Sequence, residues 1–514
     1  MKRRREEENG GGEIDEALLA ALESSSSGAG AGGGGGAAVE LLDVKGVKKM
    51  VLAFERKLRD NIEARMKYVD QPDRFVESEV DLDEELKKMH ALAASPDLYP
   101  ELVRLKVVGS IVSLLGHENT DISTDVVNLL NELTDGDVIG DNEPAGLLVD
   151  ELVSSNALEL LVQNLSRLDE ADPDEAAAVF NSLSIVENLI EVRPAVVELV
   201  CERSKLLKWL LTRIKVKEFD SNKLYASEIL AILLQSSAAN QLRLGQLNGV
   251  DTLLQSVALY KSRDPKSSEE EEMLENLYDC LCSVVMHPDN KDKFVKAEGV
   301  ELMIIIMKQK KKLAYGSALK ALDFSLTKCS DACERFVDVL GLKSLFPAFM
   351  GKVKKWLRLQ GNNSSGEEVD ERLISLIYSL FAGLTKDASK ERLLSKFEEN
   401  EYEKIDRLME FFVKYHNRVK AESKKLDAES FEELDEDDKY LKRLDAGLFT
   451  LQLLALILAH IWLSKLPGVQ SRIDLLLKQQ RLSREDVKSI LQEYRDNVDD
   501  EGGKASVEAF ISAM

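Results

Sequence analysis

Carboxylates and amides that recur on one face of successive helices point to a single kind of chemistry, the binding of positive charge. The candidate residues are Asn128, Glu132, Asp135, Ser184, Glu187, Asn188, Glu191, Glu228 and Asp279. Positions i, i+4 and i+7 of a helix point the same way. Asn128, Glu132 and Asp135 therefore form one stripe, and Ser184, Asn188 and Glu191 a second, with Glu187 flanking. A third reads Glu228, Ile232 and Gln235, and a fourth Asp279, Ser283 and Met286; a fifth changes character at Lys320 and Phe324. One exposed ion pair contributes only about 0–1 kcal/mol. Several carboxylates facing an Arg/Lys-rich segment add up, and salt screens them beyond a Debye length of roughly 8 Å. The competing reading is an ordinary solvated face in an acidic protein.

Other chemistries find no residues. Cys201, Cys280, Cys282, Cys329 and Cys333 lie apart from the five scattered histidines, so no C-x₂₋₄-C pair converges on a second pair as zinc requires. Buried reduced thiols are expected, as in a reducing compartment. No G-x-G-x-x-G, Walker loop, G-x-S-x-G or H-E-x-x-H occurs. No enzyme activity, metal or cofactor is expected. The formal charge of −24 argues against direct nucleic-acid binding and favours a basic partner. No secretory signal opens the chain, because MKRRREEENG is charged and no apolar run follows. Residues 446–463 are apolar enough to raise a membrane-spanning reading, but Gln452 and His460 interrupt them. A wholly buried core helix is expected there, and no membrane partner.

The stripes need elements to carry them, and the chain supplies these by repetition. A small or polar residue followed by two apolar helices recurs at Gly109, Asn156, Ser204, Gly249, Gly299 and Gly341, in steps of 47, 48, 45, 50 and 42 residues. A period in the forties is that of armadillo or HEAT units, none of which buries its apolar face alone. The expected fold is all-α: a right-handed α-solenoid of armadillo/HEAT-like repeats with N- and C-terminal helical caps. In an armadillo unit the third helix lines the concave groove, which places the stripes there.

The organisation follows from composition. Residues 1–38 read as a disordered basic and glycine-rich tail, with Lys2, Arg3, Arg4 and Arg5 as a candidate nuclear-import signal. Residues 39–100 read as an N-terminal helical cap, with Val47, Val51, Phe54, Leu58 and Ile62 on one stripe. Six repeats are expected over 101–385, a seventh irregular one with a charged insertion over 386–466, and a C-terminal helical cap over 467–514.

The segment DLDEELKKMHALAASPDLYPELVRLKVVGSIVSLLGHENTDISTDVVNLLNELTD (81–135) resembles the beta-catenin-like protein 1 family. So do residues 162–194, 222–235 and 440–452, in order, within a match over about 45–500. The resemblance implies an armadillo-type nuclear protein of the spliceosome, without catalytic residues. Its partners would be the Myb-like cell-division-cycle-5 splicing protein and other nineteen-complex components, bound through basic nuclear-localisation-type segments. Import adaptors of the karyopherin-alpha type hold such peptides with a Trp and Asn ladder. Here that ladder reduces to Asn188, and Trp209, Trp356 and Trp462 fall off the stripes. The leading expectation is thus a splicing scaffold with an acidic groove; the alternative is a cytosolic armadillo co-chaperone or assembly factor.

Overall fold

The computed structural model describes residues 42–139, 143–309, 313–351, 365–428, 435–498 and 500–514. The cluster Lys2 to Arg5, the glycine-rich segment 24–38 and Trp356 lie outside them. Among the described residues every regular element is helical. The chain divides into two compact units at Asn240 and Gln241.

Seven long helices carry the architecture. They are numbered α1 (Thr120–Leu133), α2 (Pro173–Val192), α3 (Ser221–Gln235), α4 (Ser268–Val284), α5 (Ala314–Leu326), α6 (Ser365–Gly383) and α7 (Leu448–Leu463). In the first unit Val76–Lys88 packs on α1, α1 on α2 and α2 on α3. In the second, α4 packs on α5, α5 on α6 and α6 on α7. The starts of the first four are set by short polar side chains. Asn119, Asp172, Asp220 and Ser267 each accept a hydrogen bond from a first-turn amide, which satisfies a donor the helix itself cannot. Apolar residues on the inner face of each then go inside: in α1 these are Ile122, Val126, Val127, Leu129, Leu130 and Leu133.

The repeat shows itself in the turns. Lys106, Asn156, Asn248 and Glu298, with φ of 57°, 61°, 60° and 58°, are left-handed residues immediately before Val107–Ser113, Ala157–Leu165, Gly249–Ala258 and Gly299–Lys308. The turn residue in the first repeat is thus Lys106, and Gly109 sits inside the helix that follows. Ser204 keeps an extended backbone instead, and its hydroxyl accepts from the Leu206 amide at 3.2 Å. Glycine is required after two of these turns for lack of room. A Cβ on Gly249 would lie 2.5 Å from the Leu244 side chain, and one on Gly299 would lie 2.6 Å from the Phe294 ring.

Two buried asparagines tie neighbouring repeats in the same way. Asn240 Nδ2 donates to the carbonyls of Val197 and Leu233 at 2.8 and 3.0 Å. Asn290 Nδ2 donates to those of Gln241 and Val284 at 2.8 and 2.9 Å. Each satisfies a carbonyl near the end of the long helix that precedes it and bonds a second carbonyl one repeat earlier, where water is excluded.

The ends are built differently. In Val44–Lys67, Val47, Val51, Phe54 and Leu58 are buried but Ile62 is exposed. Asn61 takes its inward place, donating to Ser78 Oγ at 3.1 Å and meeting His117 Nε2 at 3.3 Å. At the other end α7 is apolar on all sides, and 13 of its 16 residues are buried, so protein surrounds it rather than solvent. Arg484–Asp496 and Glu501–Ala513 pack over it. Among the described residues no single helix is long and apolar enough to cross a membrane. The five cysteines are all buried and free.

Candidate peptide-binding face

Eight of the nine candidate residues fall in the first unit, on or beside α1, α2 and α3; Asp279 falls in the second. Asn128 of α1 meets α2 directly, accepting at 2.9 Å from the amide of Asn181. Ser184 and Glu187 of α2 converge on Tyr225 of α3, whose phenol donates to Glu187 Oε2 at 2.5 Å. Glu228 stands one turn further along α3 and adds its field to the same phenol. Burial, then the Glu187 carboxylate, push the Tyr225 pKa well above its ordinary value, so the group is neutral and a donor. Asn188 is half-buried on α2, beside the Glu187 carboxylate in sequence.

The remaining carboxylates lie at the rim. Glu191 is exposed, and its Oε2 lies near Gly136, just past the turn that follows α1. Asp135 is exposed at that turn and accepts from the Asp137 amide at 2.9 Å. Glu132 is exposed and shares its Oε2 with His90 Nδ1 at 2.7 Å. The face is therefore not uniformly solvated: Glu187 is fixed by a phenol, whereas Glu132, Asp135 and Glu191 project outward.

In the second unit Asp279 of α4 is paired with Lys320 of α5 at 2.7 Å. Glu271 and Glu275 continue its stripe toward the start of α4. Burial, and then Glu271 and Asp279, raise the Glu275 pKa, as like charges on one face must.

Three features escaped the sequence reading. Phe180, 43% exposed, packs at a tilt against Tyr225 with ring centroids 4.6 Å apart. Asp125 of α1 faces Asp83, with Lys87 between them; burial and the Asp83 carboxyl lift Asp125 to about 6. Lastly, Asn181 completes the amide pair with Asn128. The signal was available for both rings of the first, because Phe180 is four residues before Ser184 and Tyr225 three before Glu228. Carrying each stripe one turn toward the helix start finds both. The described tryptophans are structural: Trp209 Nε1 donates to the Leu165 carbonyl at 3.3 Å and Trp462 Nε1 to that of Ala513 at 3.1 Å. Among the described residues no group of His, Cys, Asp and Glu could hold a metal ion.

Residues 30–492 match a family model described as catenin-beta-like, Arm-motif containing, nuclear. The chain is 43% identical over 472 residues to beta-catenin-like protein 1 of Rattus norvegicus, covering 89% of this chain and 83% of that one. It is likewise 43% identical over 474 residues to beta-catenin-like protein 1 of Homo sapiens, with the same coverage. The beta-catenin-like protein 1 homolog of Schizosaccharomyces pombe is 36% identical over 461 residues, covering 88% of this chain and 79% of that one. Among solved structures, an engineered protein aligns at a TM-score of 0.45 and 15% identity, over 89% of this chain and 98% of its own.

Proposed function

The chain belongs to the catenin-beta-like family of Arm-motif proteins, and from that premise we propose that it is a non-enzymatic nuclear scaffold of the splicing machinery. It holds basic segments of its partners on the α1–α2–α3 face. The supporting observation is the gathering of Glu132, Asp135, Glu187, Glu191 and Glu228 on or beside three packed helices of one unit, within a protein of charge −24. Carboxylates at one surface raise the local concentration of cationic segments and speed their encounter. The family description as nuclear agrees with such a role. The proposed partners are the Myb-like cell-division-cycle-5 splicing protein and other nineteen-complex components, through their Arg/Lys-rich segments.

Purified Myb-like cell-division-cycle-5 protein, offered to immobilised wild type and to the triple variant Glu132→Lys, Asp135→Lys, Glu191→Lys, tests the assignment. Retention by wild type and loss by the variant is the expected result. Equal retention, or none by either, overturns it. Nuclear entry is tested by changing Lys2, Arg3, Arg4 and Arg5 to alanine in a fluorescent fusion. The nuclear fraction should fall, and an unchanged distribution would remove the role of that cluster.

A further inference from the structure

We propose that Phe180, Tyr225 and Glu187 form a seat for one arginine side chain of the bound basic segment, and that this seat prefers guanidinium over ammonium; the proposal rests on the α1–α2–α3 face being the binding face. Phe180 leaves 43% of its surface in water although a phenylalanine gains most by burial. It is held there by a neighbour: its ring lies 4.6 Å from that of Tyr225, tilted by 38°. Tyr225 is itself buried and fixed from the other end, its phenol donating to Glu187 Oε2 at 2.5 Å. The exposed ring is thus a rigid platform rather than a loose side chain.

Chemistry selects the occupant. An aromatic face attracts a cation over its centre, and a guanidinium does so best because it is flat, weakly hydrated and able to stack. The same group carries five donors in a fork that matches a carboxylate. Glu187 presents that carboxylate on the same helix as Phe180, joined to it through the phenol. It accepts several hydrogen bonds, so one phenolic donor does not saturate it. An ammonium, compact and strongly hydrated, would satisfy the carboxylate but gain little from the ring. Glu228 adds negative potential beside the same phenol.

The test uses the full chain and two ten-residue peptides of equal charge, one with arginine and one with lysine as its only basic residue type. Wild type should bind the arginine peptide about tenfold more tightly than the lysine peptide. Phe180→Ala should bring the two affinities together while leaving their dependence on salt. Phe180→Leu, which keeps apolar bulk without an aromatic face, should do the same, and circular dichroism checks the fold of both. If either variant is folded and keeps the arginine preference, the seat is wrong although the acidic face stands. If wild type binds neither peptide, the face and the seat fall together. If wild type binds both equally, only the seat falls.

Discussion

Glu334 shows how much one carboxylate can organise. Its Oε1 accepts from the Thr385 and Lys386 amides, each at 2.8 Å, and from the Thr385 hydroxyl at 3.2 Å; its Oε2 accepts from Ser389 Oγ at 2.6 Å. These donors open the helix that starts at Asp387 and breaks at Glu399–Tyr402, so the side chain caps a helix far along the chain. Burial opposes ionisation here, but the Lys386 amide, the Ser389 hydroxyl and the Thr385 donors outweigh it and hold the pKa at about 2, against 4.5 ordinarily. A depressed carboxyl stabilises the fold fully above its unfolded pKa, and that stability is lost as pH falls from about 4.5 through about 2. Glu334→Gln should therefore cost roughly 2–3 kcal/mol in urea denaturation at pH 7. The gap from wild type should shrink by pH 3, and a gap that holds constant would contradict the linkage. At this scale the sequence was partly legible. Periodicity found Ser184 and Glu187, which share the Tyr225 phenol. It could not find the Glu334 network, because its members are some fifty residues apart and only folding brings them together.

Helices and turns were more readable than their partners. Asn119, Asp172, Asp220 and Ser267 are the residue types that cap helices, and each does so. Left-handed turns at Lys106 and Glu298 were not readable, because neither residue favours that conformation; packing of the helices on either side imposes it. The tie between repeats gives a prediction at this scale. Asn290→Ala removes the bonds to the Gln241 and Val284 carbonyls and deprives the Val284 carbonyl, at the end of α4, of its side-chain donor, and should cost about 1–3 kcal/mol in thermal or urea denaturation. A change below about 0.5 kcal/mol would mean that the carbonyls find other donors. In α7, Leu454 is fully buried. Leu454→Ala should destabilise by about 2–5 kcal/mol, and Leu454→Asp should prevent the second unit from folding, since no partner meets the buried charge. A soluble, fully helical Leu454→Asp protein would show that α7 packs more loosely than its burial indicates.

For the whole molecule, repetition builds the helical scaffold and charge sets which segments it attracts. Repetition was legible because a unit of about 46 residues leaves apolar periods and turn glycines at fixed distances. The arrangement of the acidic residues was less so, because a stripe read from one helix does not show what the next helix sets against it. His90 meets Glu132, Lys320 meets Asp279, and Tyr225 meets Glu187, while Phe180 emerges beside Tyr225. The central claim is that the first unit's acidic face binds cationic peptide segments. Isothermal titration of an Arg/Lys-rich peptide into wild type and into the Glu132→Lys, Asp135→Lys, Glu191→Lys variant, with helicity followed by circular dichroism, tests it most directly. These three residues are exposed, so reversing them should leave the fold intact. A loss of at least about tenfold in affinity is expected for the variant, and a wild-type affinity that falls steeply with added salt. A variant that stays helical and binds as tightly as wild type would contradict the claim.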